Sequence, residues 1–152
     1  MKRPFETYLL WFLLLFLSLN GLIAGSLMLV RPDGSLLQMD RAWLENSPFG
    51  GYFIPGCLLF LCIGILPMLS FAGMAFRPAW NWPKFLNIYP DRHWGWTFSL
   101  YSGIGTIIWI IFQQFVTKFF ILQPVILSMA LATVVLTLMP GNMNYYKQIN
   151  HG

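Results

Sequence analysis

Apolar positions along this chain do not alternate with polar ones. They fill four long stretches separated by short connections rich in Pro, Gly and polar residues. A bilayer core takes about 20 helical residues to cross, so the pattern predicts spans at about residues 8–30, 50–76, 94–116 and 120–139. The first stretch is Leu-rich and then turns small and polar at Ser18, Asn20, Gly21, Ala24, Gly25 and Ser26. Gly21 and Gly25 form a GxxxG pair and share a helical face with Ser18, which lets another helix approach closely. "RPDG" ends the stretch, because Pro32 cannot continue the helix and Asp33-Gly34 is a turn signal.

Residues 35–45 carry a different pattern. Leu36, Met39 and Trp43 recur at helical spacing, as do Leu37 and Leu44, while Asp40, Arg41 and Glu45 fill the remaining arc. Ser35 with Gln38 fits a capping box, and Arg41 can pair with Glu45 one turn on. This predicts a short amphipathic helix capping the bundle, with a position flat on the membrane surface as the alternative. In "ENSPFGGYFIPGC", Asn46 or Ser47 then reads as the cap of the second span, with Pro48 at its first position and Phe49 and Tyr52 at the interface. Pro55 does not fit that reading. It would leave the Gly51 carbonyl without a helical donor, next to the small Gly56, and predicts a kink near the outer leaflet. Pro67 would free the Ile63 carbonyl in the same way. In the third stretch, Gly95, Ser99, Ser102 and Thr106 fall on one face. The turn into the fourth is expected near Lys118, with Pro124 in the first turn of the last helix.

Composition agrees with spans. The chain is 57% hydrophobic and 9% charged, against roughly 25% charged in globular proteins. Four crossings use roughly half of it, leaving too little for a separate soluble domain. The expectation is an all-α membrane protein: a four-helix transmembrane bundle with a short outward-facing amphipathic helix between spans one and two, one domain over residues 1–152. The N-terminus, basic and then apolar, resembles a signal peptide and is read as the first span. The net charge of +4 comes from cations at span ends. Lys2, Arg3, Arg77, Lys84, Arg92 and Lys147 fall on one side, and Arg31, Arg41 and Lys118 on the other, which predicts both termini in the cytoplasm. The basic and aromatic residues of 77–96 read as an interfacial belt meeting lipid headgroups rather than as a nucleic-acid site.

Candidate chemistry is sparse. No Asp, Glu, Lys, Arg or His lies in the middle of a predicted span, which argues against a proton relay. Cys57 and Cys62 are about 140° apart on a helix and match neither a CxxC nor a zinc pattern. No metal, cofactor or catalytic group is expected. Asn20 is the mid-span polar residue, and with Ser18, Gly21, Gly25, Ser99, Ser102 and Thr106 it is assigned to helix packing. Gln113 and Gln114 lie at the depth of the opening motif, so Gly51, Tyr52, Pro55, Gly56, Gln113 and Gln114 are candidates for an outward polar pocket.

The segment carrying Leu44, Ser47, Pro48, Phe49, Tyr52, Ile54, Pro55 and Gly56, followed by Trp109, Ile110 and Gln113, resembles a group of small, uncharacterised four-span bacterial inner-membrane proteins. Those share an L-x-x-SPF-x-x-Y-x-IPG segment and a W-I-x-x-Q element. The resemblance implies a multi-pass protein of the bacterial inner (plasma) membrane and implies no activity. The function expected is a non-catalytic accessory or scaffold subunit, or a lipid-binding module, in contact with membrane lipids and with a protein partner or a second copy. A small transporter or channel component using the proline-broken second span is the alternative. An enzyme acting on a lipid or quinone, drawing on Cys57, Cys62, Asp91 and His93, comes third.

Overall fold

Pro4 is extended and sets the start of helix α1 (Phe5–Val30), which runs 26 residues without interruption. The computed structural model describes residues 2–148, which are helical with no strand. The chain leaves α1 through Arg31 and turns at Gly34, whose φ of 80° is left-handed. A side chain there would be strained and would also strike the Tyr52 ring.

The amphipathic segment is not one helix. It forms two short 3₁₀ turns, Ser35–Leu37 and Arg41–Leu44. Gln38 between them takes a left-handed conformation (φ 55°), and two Asx turns set the local path. Asp33 Oδ1 accepts from the Ser35 amide and Asp40 Oδ1 from the Ala42 amide, each at 3.0 Å. These contacts replace the expected capping box, and Arg41 and Glu45 form no ion pair among the described residues. The apolar side chains nevertheless pack onto the end of the bundle: Leu37, Met39 and Leu44 gather with Met28, Tyr52 and Leu59.

The second long helix, Phe53–Phe76, starts later than expected. Ser47 Oγ accepts from the Phe49 amide and donates to the Leu44 carbonyl, closing a turn rather than capping a helix. Tyr52 then ties the chain down. Its amide donates to Pro32 O at 2.8 Å, and its hydroxyl to Asp40 O at 2.7 Å. Its first segment is α2 (Phe53–Leu58), so Pro55 stands at the third helical position, where an amide has no intrahelical acceptor. Gly51 lies outside the helix, and its carbonyl loses no helical donor. The expected Pro55 break is therefore absent. The irregularity sits further on, as a π-helical stretch at Leu59–Ile65 between α2 and α3 (Leu66–Phe76). There the Leu66 amide reaches Leu61 O, five residues back. The wider register lies immediately before Pro67, which has no amide of its own to give.

That stretch packs directly against α1, antiparallel to it. A Cβ on Gly25 would stand 2.7 Å from the Phe60 amide nitrogen, one on Gly56 would meet Met28, and Gly21 lies against the Ile63–Gly64 backbone. Ser18 Oγ donates to Gly64 O at 2.7 Å in the same contact. Helix α4 (Trp94–Val116) crosses α3 where Gly73 meets Gly95, and Ser70 Oγ donates to Gly95 O at 2.9 Å. A turn at 117–121 leads to α5 (Leu122–Leu138), which returns along α4, and α6 (Pro140–Tyr145) folds back onto the start of α1. Asn142, fully buried, accepts from Thr7 Oγ1 at 2.5 Å and donates to Leu136 O at 2.7 Å. Tyr146 donates to Met74 O at 3.1 Å and accepts from Trp11 Nε1. One core of Leu10, Leu13, Leu14, Met74, Trp96, Leu100, Leu136 and Tyr146 results.

Three helices, Phe5–Val30, Phe53–Phe76 and Trp94–Val116, are long and apolar enough to cross a membrane. Their outward side chains are also apolar, including Phe12, Leu19, Ile23, Leu61 and Ile108. An exterior of this kind suits lipid rather than water.

A replacement of Gly25 by Val should lower stability by about 1–3 kcal/mol, the range for overpacking a fitted contact. Gly105→Ala, where the added carbon meets open space, should be neutral or slightly stabilising. Unfolding of both variants in mild detergent micelles checks the pair; equal behaviour would contradict the packing.

Candidate functional site

The end of the bundle beneath the 31–52 connection holds a cavity of about 290 Å³. The connection supplies its roof through Leu37, Met39 and Trp43, and Trp43 stacks on Phe120 from the opposite turn (6.5 Å, 21°). Gly21 and Ala24 of α1, Leu59 and Ile63 of the π stretch and Trp109 and Ile110 of α4 form the walls. The absence of side chains at Gly21 and Gly25 brings the π stretch close enough to close that wall. No ionisable side chain lines the cavity.

Its polar residues are three carboxamides, Asn20, Gln113 and Gln123, and two indoles, Trp43 and Trp109. The Trp109 Nε1 is buried and has no partner among the described residues. Gln123, fully buried, organises the turn between α4 and α5. Its Oε1 accepts from Gln114 Nε2 at 2.9 Å and faces the Phe120 amide at 3.4 Å, while its Nε2 donates to Thr117 Oγ1 at 3.3 Å.

The candidate residues divide between several places. Gln113 is buried and lines both this cavity and a neighbouring space of about 20 Å³ that also touches Tyr52 and Pro55. Gln114 is on the exposed side and joins the cluster only through Gln123. Gly51 and Gly56 line neither space; Gly56 lies against Met28 of α1. The Tyr52 hydroxyl is occupied by Asp40 O, and burial raises its pKa. Asn20 is exposed and donates to Phe16 O of its own helix at 2.8 Å, so it bridges no pair of helices and instead borders the cavity. Ser18, Gly21 and Gly25 face the second helix, as described above. Ser99 Oγ meets Thr137 Oγ1 at 2.7 Å across the α4–α5 seam, whereas Ser102 and Thr106 donate to Phe98 O and Ser102 O within α4. Gln123 and Trp109 are not among the site residues that the sequence pattern points to. Gln123 sat visibly in a polar turn, but an unpartnered indole leaves no mark in a sequence.

The remaining chemistry-bearing residues do not converge. Cys57 and Cys62 are unpaired thiols on the second helix. Asp91 lies 3.9 Å from Arg92. His93 is the N-cap of α4, and its Nδ1 accepts from the Gly95 amide at 3.1 Å. Burial, together with the positive charge of Arg77 and then Lys84, lowers its pKa to about 4. No group of three or more His, Cys, Asp or Glu side chains able to hold a metal occurs among the described residues.

No known protein family, curated protein or solved structure matches the chain.

The His93 shift has a stability consequence. Its folded pKa lies below the ordinary value of 6.5, so below about pH 6.5 the unfolded chain binds a proton that the folded chain does not. Stability should therefore fall as pH drops from 6.5 to 5, above the usual carboxylate range. His93→Asn, which keeps a capping side chain but does not titrate, should flatten that slope. Melting temperatures in detergent across this window provide the check.

Proposed function

We propose that the chain is a non-catalytic, four-span protein of the bacterial inner membrane that binds a lipid, acting as an accessory module within the membrane. The cavity carries this reading. Its wall is apolar and uncharged, and its few polar residues are carboxamides and two indoles, which suit an apolar chain bearing an uncharged hydrogen-bonding group. Its volume of about 290 Å³ lies near the lower end for small-ligand sites, and a lipid can extend out of it into the bilayer.

Helix α5, with 17 residues, rises about 26 Å and would serve as the fourth crossing with slight thinning or tilt. The gathering of Arg3, Arg77 and Arg92 around Tyr145 and Met143 supports an orientation with that end, and both termini, in the cytoplasm. Lipid binding is favoured over a pure scaffold role because Gly21, Gly25, Gly73 and Gly95 are already consumed in contacts inside the chain. A transporter reading draws on the π stretch, since Leu59 and Ile63 of that stretch line the cavity. Among the described residues that cavity has no charged or broken-helix ion site of the kind such proteins use.

The test is photolabelling in native membranes with a diazirine-bearing acyl lipid. Labelled peptides should come from residues 20–28 and 109–126. Ala24→Phe, which fills the cavity, should remove at least half of that labelling while leaving the melting temperature close to that of the parent. Labelling spread evenly over the outward faces, at Phe12 or Ile108 and unchanged in Ala24→Phe, would sink the proposal.

A further inference from the structure

The opposite end of the bundle carries a second cavity, of about 430 Å³, between the 77–93 connection and the start of α4. Its character is the reverse of the first. Arg77 and Lys84 line it, together with Asn87, His93, Gln148, Trp80 and Trp94, and no carboxylate of the described residues does. The two cations are held in place. Arg77 closes α3 in a left-handed conformation (φ 47°), costly for a residue with a side chain. Its guanidinium lies over the Tyr145 and Tyr146 rings, at 4.4 and 4.9 Å, and donates to Tyr145 O at 3.1 Å. Lys84 is exposed and bonded through Nζ to Asn81 Oδ1 at 3.1 Å. The positive end of the α4 dipole adds to their field.

A second observation points to a ligand. Trp94 is 2% exposed, and its Nε1–H has no partner among the described residues. The far edge of its benzo ring, Cζ3 and Cη2, rests on Gly73, so the pyrrole end carrying Nε1 points away from that helix contact. Trp80 stacks on the same indole (5.7 Å, 15°) and forms an aromatic wall. A buried donor with no acceptor is costly. Trp94 lines the cavity, so an oxyanion there that reached Nε1 would supply that acceptor and would find two cations beside it.

We propose that this cavity binds a phosphate group, with Arg77 and Lys84 as its cationic contacts and Trp94 Nε1 as a neutral donor. At the edge of a membrane-spanning helix the natural source is an anionic phospholipid headgroup, and a soluble phosphate ester is the other source of the same chemistry. The proposal rests on the membrane reading but not on occupancy of the apolar cavity.

The experiment uses the full chain in nanodiscs of phosphatidylcholine containing phosphatidylglycerol, with native mass spectrometry of retained lipid. In parallel, glycerol 3-phosphate and inorganic phosphate are titrated into detergent-solubilised protein, read by tryptophan fluorescence. Phosphatidylglycerol should be retained in preference to phosphatidylcholine. Lys84→Gln, a surface change, should weaken that preference about fivefold, the size expected for one cation near a lipid surface. Trp94→Phe should weaken it while keeping the aromatic wall, and Ala24→Phe should leave it unchanged. A fluorescence response to soluble phosphates with no preference between the two lipids would keep the site and assign it to a soluble ester. Equal retention of both lipids with no response to phosphate would overturn the proposal. So would a preference that Lys84→Gln and Trp94→Phe both leave intact.

Discussion

The contact of α1 with the π stretch of the second span is the constraint on which the rest depends. Helices in lipid are not pressed together by the hydrophobic effect, because lipid tails are as apolar as their side chains, so close packing and interhelical hydrogen bonds must hold them. Here Gly21, Gly25, Gly56 and Gly64 remove the side chains that would hold the two backbones apart, and Ser18 donates to Gly64 O across the gap. The π register beside Pro67 disturbs the regular pairing of carbonyls, and Ser18 supplies an extra donor within that stretch. Packing and backbone satisfaction therefore solve one problem together. Moved one turn, the glycines would not meet Ile63 and Phe60, and the wall of the apolar cavity would open.

The same economy runs through the polar side chains. In lipid an unsatisfied polar group costs several kcal/mol, and nearly all those buried here are satisfied within the chain. Ser70 bonds Gly95 O, Ser99 meets Thr137, Trp96 donates to Thr137 O, and Thr133 and Thr137 bond back along α5. These hydroxyls are spent on structure. Against that background two buried donors stand out among the described residues, the indole N–H groups of Trp94 and Trp109. Trp109 lines the apolar cavity and Trp94 the cationic one.

How far the sequence reveals this depends on the range of the cause. The three long helices were legible because composition and length alone decide them, and α4 and the turn before α5 fall within about two residues of expectation. The start of the second helix was misplaced for a specific reason. Ser47 and Pro48 carry a real local turn signal, but Tyr52 is held by Pro32 and Asp40, residues distant in sequence, and the helix begins after that tether. Pro55 looked like a break only because the start was set too early. Asn20 looked like a bridge between helices, but its nearest acceptor was Phe16 O, one turn back. The π stretch was hidden because its outside donor comes from α1. The Trp94 orphan was hidden because it depends on how Gly73 seats the ring.

The two ends of the bundle thus differ in kind, and α4 connects them. Trp94 and Trp109 lie fifteen residues apart on that helix, a rise of about 22 Å, most of the thickness of a hydrocarbon core of about 30 Å. On the proposed four-span reading, one cavity therefore belongs to each leaflet. A phosphate held near Trp94 and an apolar chain held near Trp109 would come from two lipids, not from one molecule reaching across. Their chemistries also separate cleanly: charge and an exposed lysine at one end, carboxamides and a stacked aromatic roof at the other. With both proposed lipids bound, a small bundle that grips each leaflet by different means, with no Asp, Glu, Lys, Arg or His on α4 between Trp94 and Trp109, has little use for carrying a charged solute across. The proposed role is then to fix its own position relative to lipids, and so to present a steady surface within the membrane.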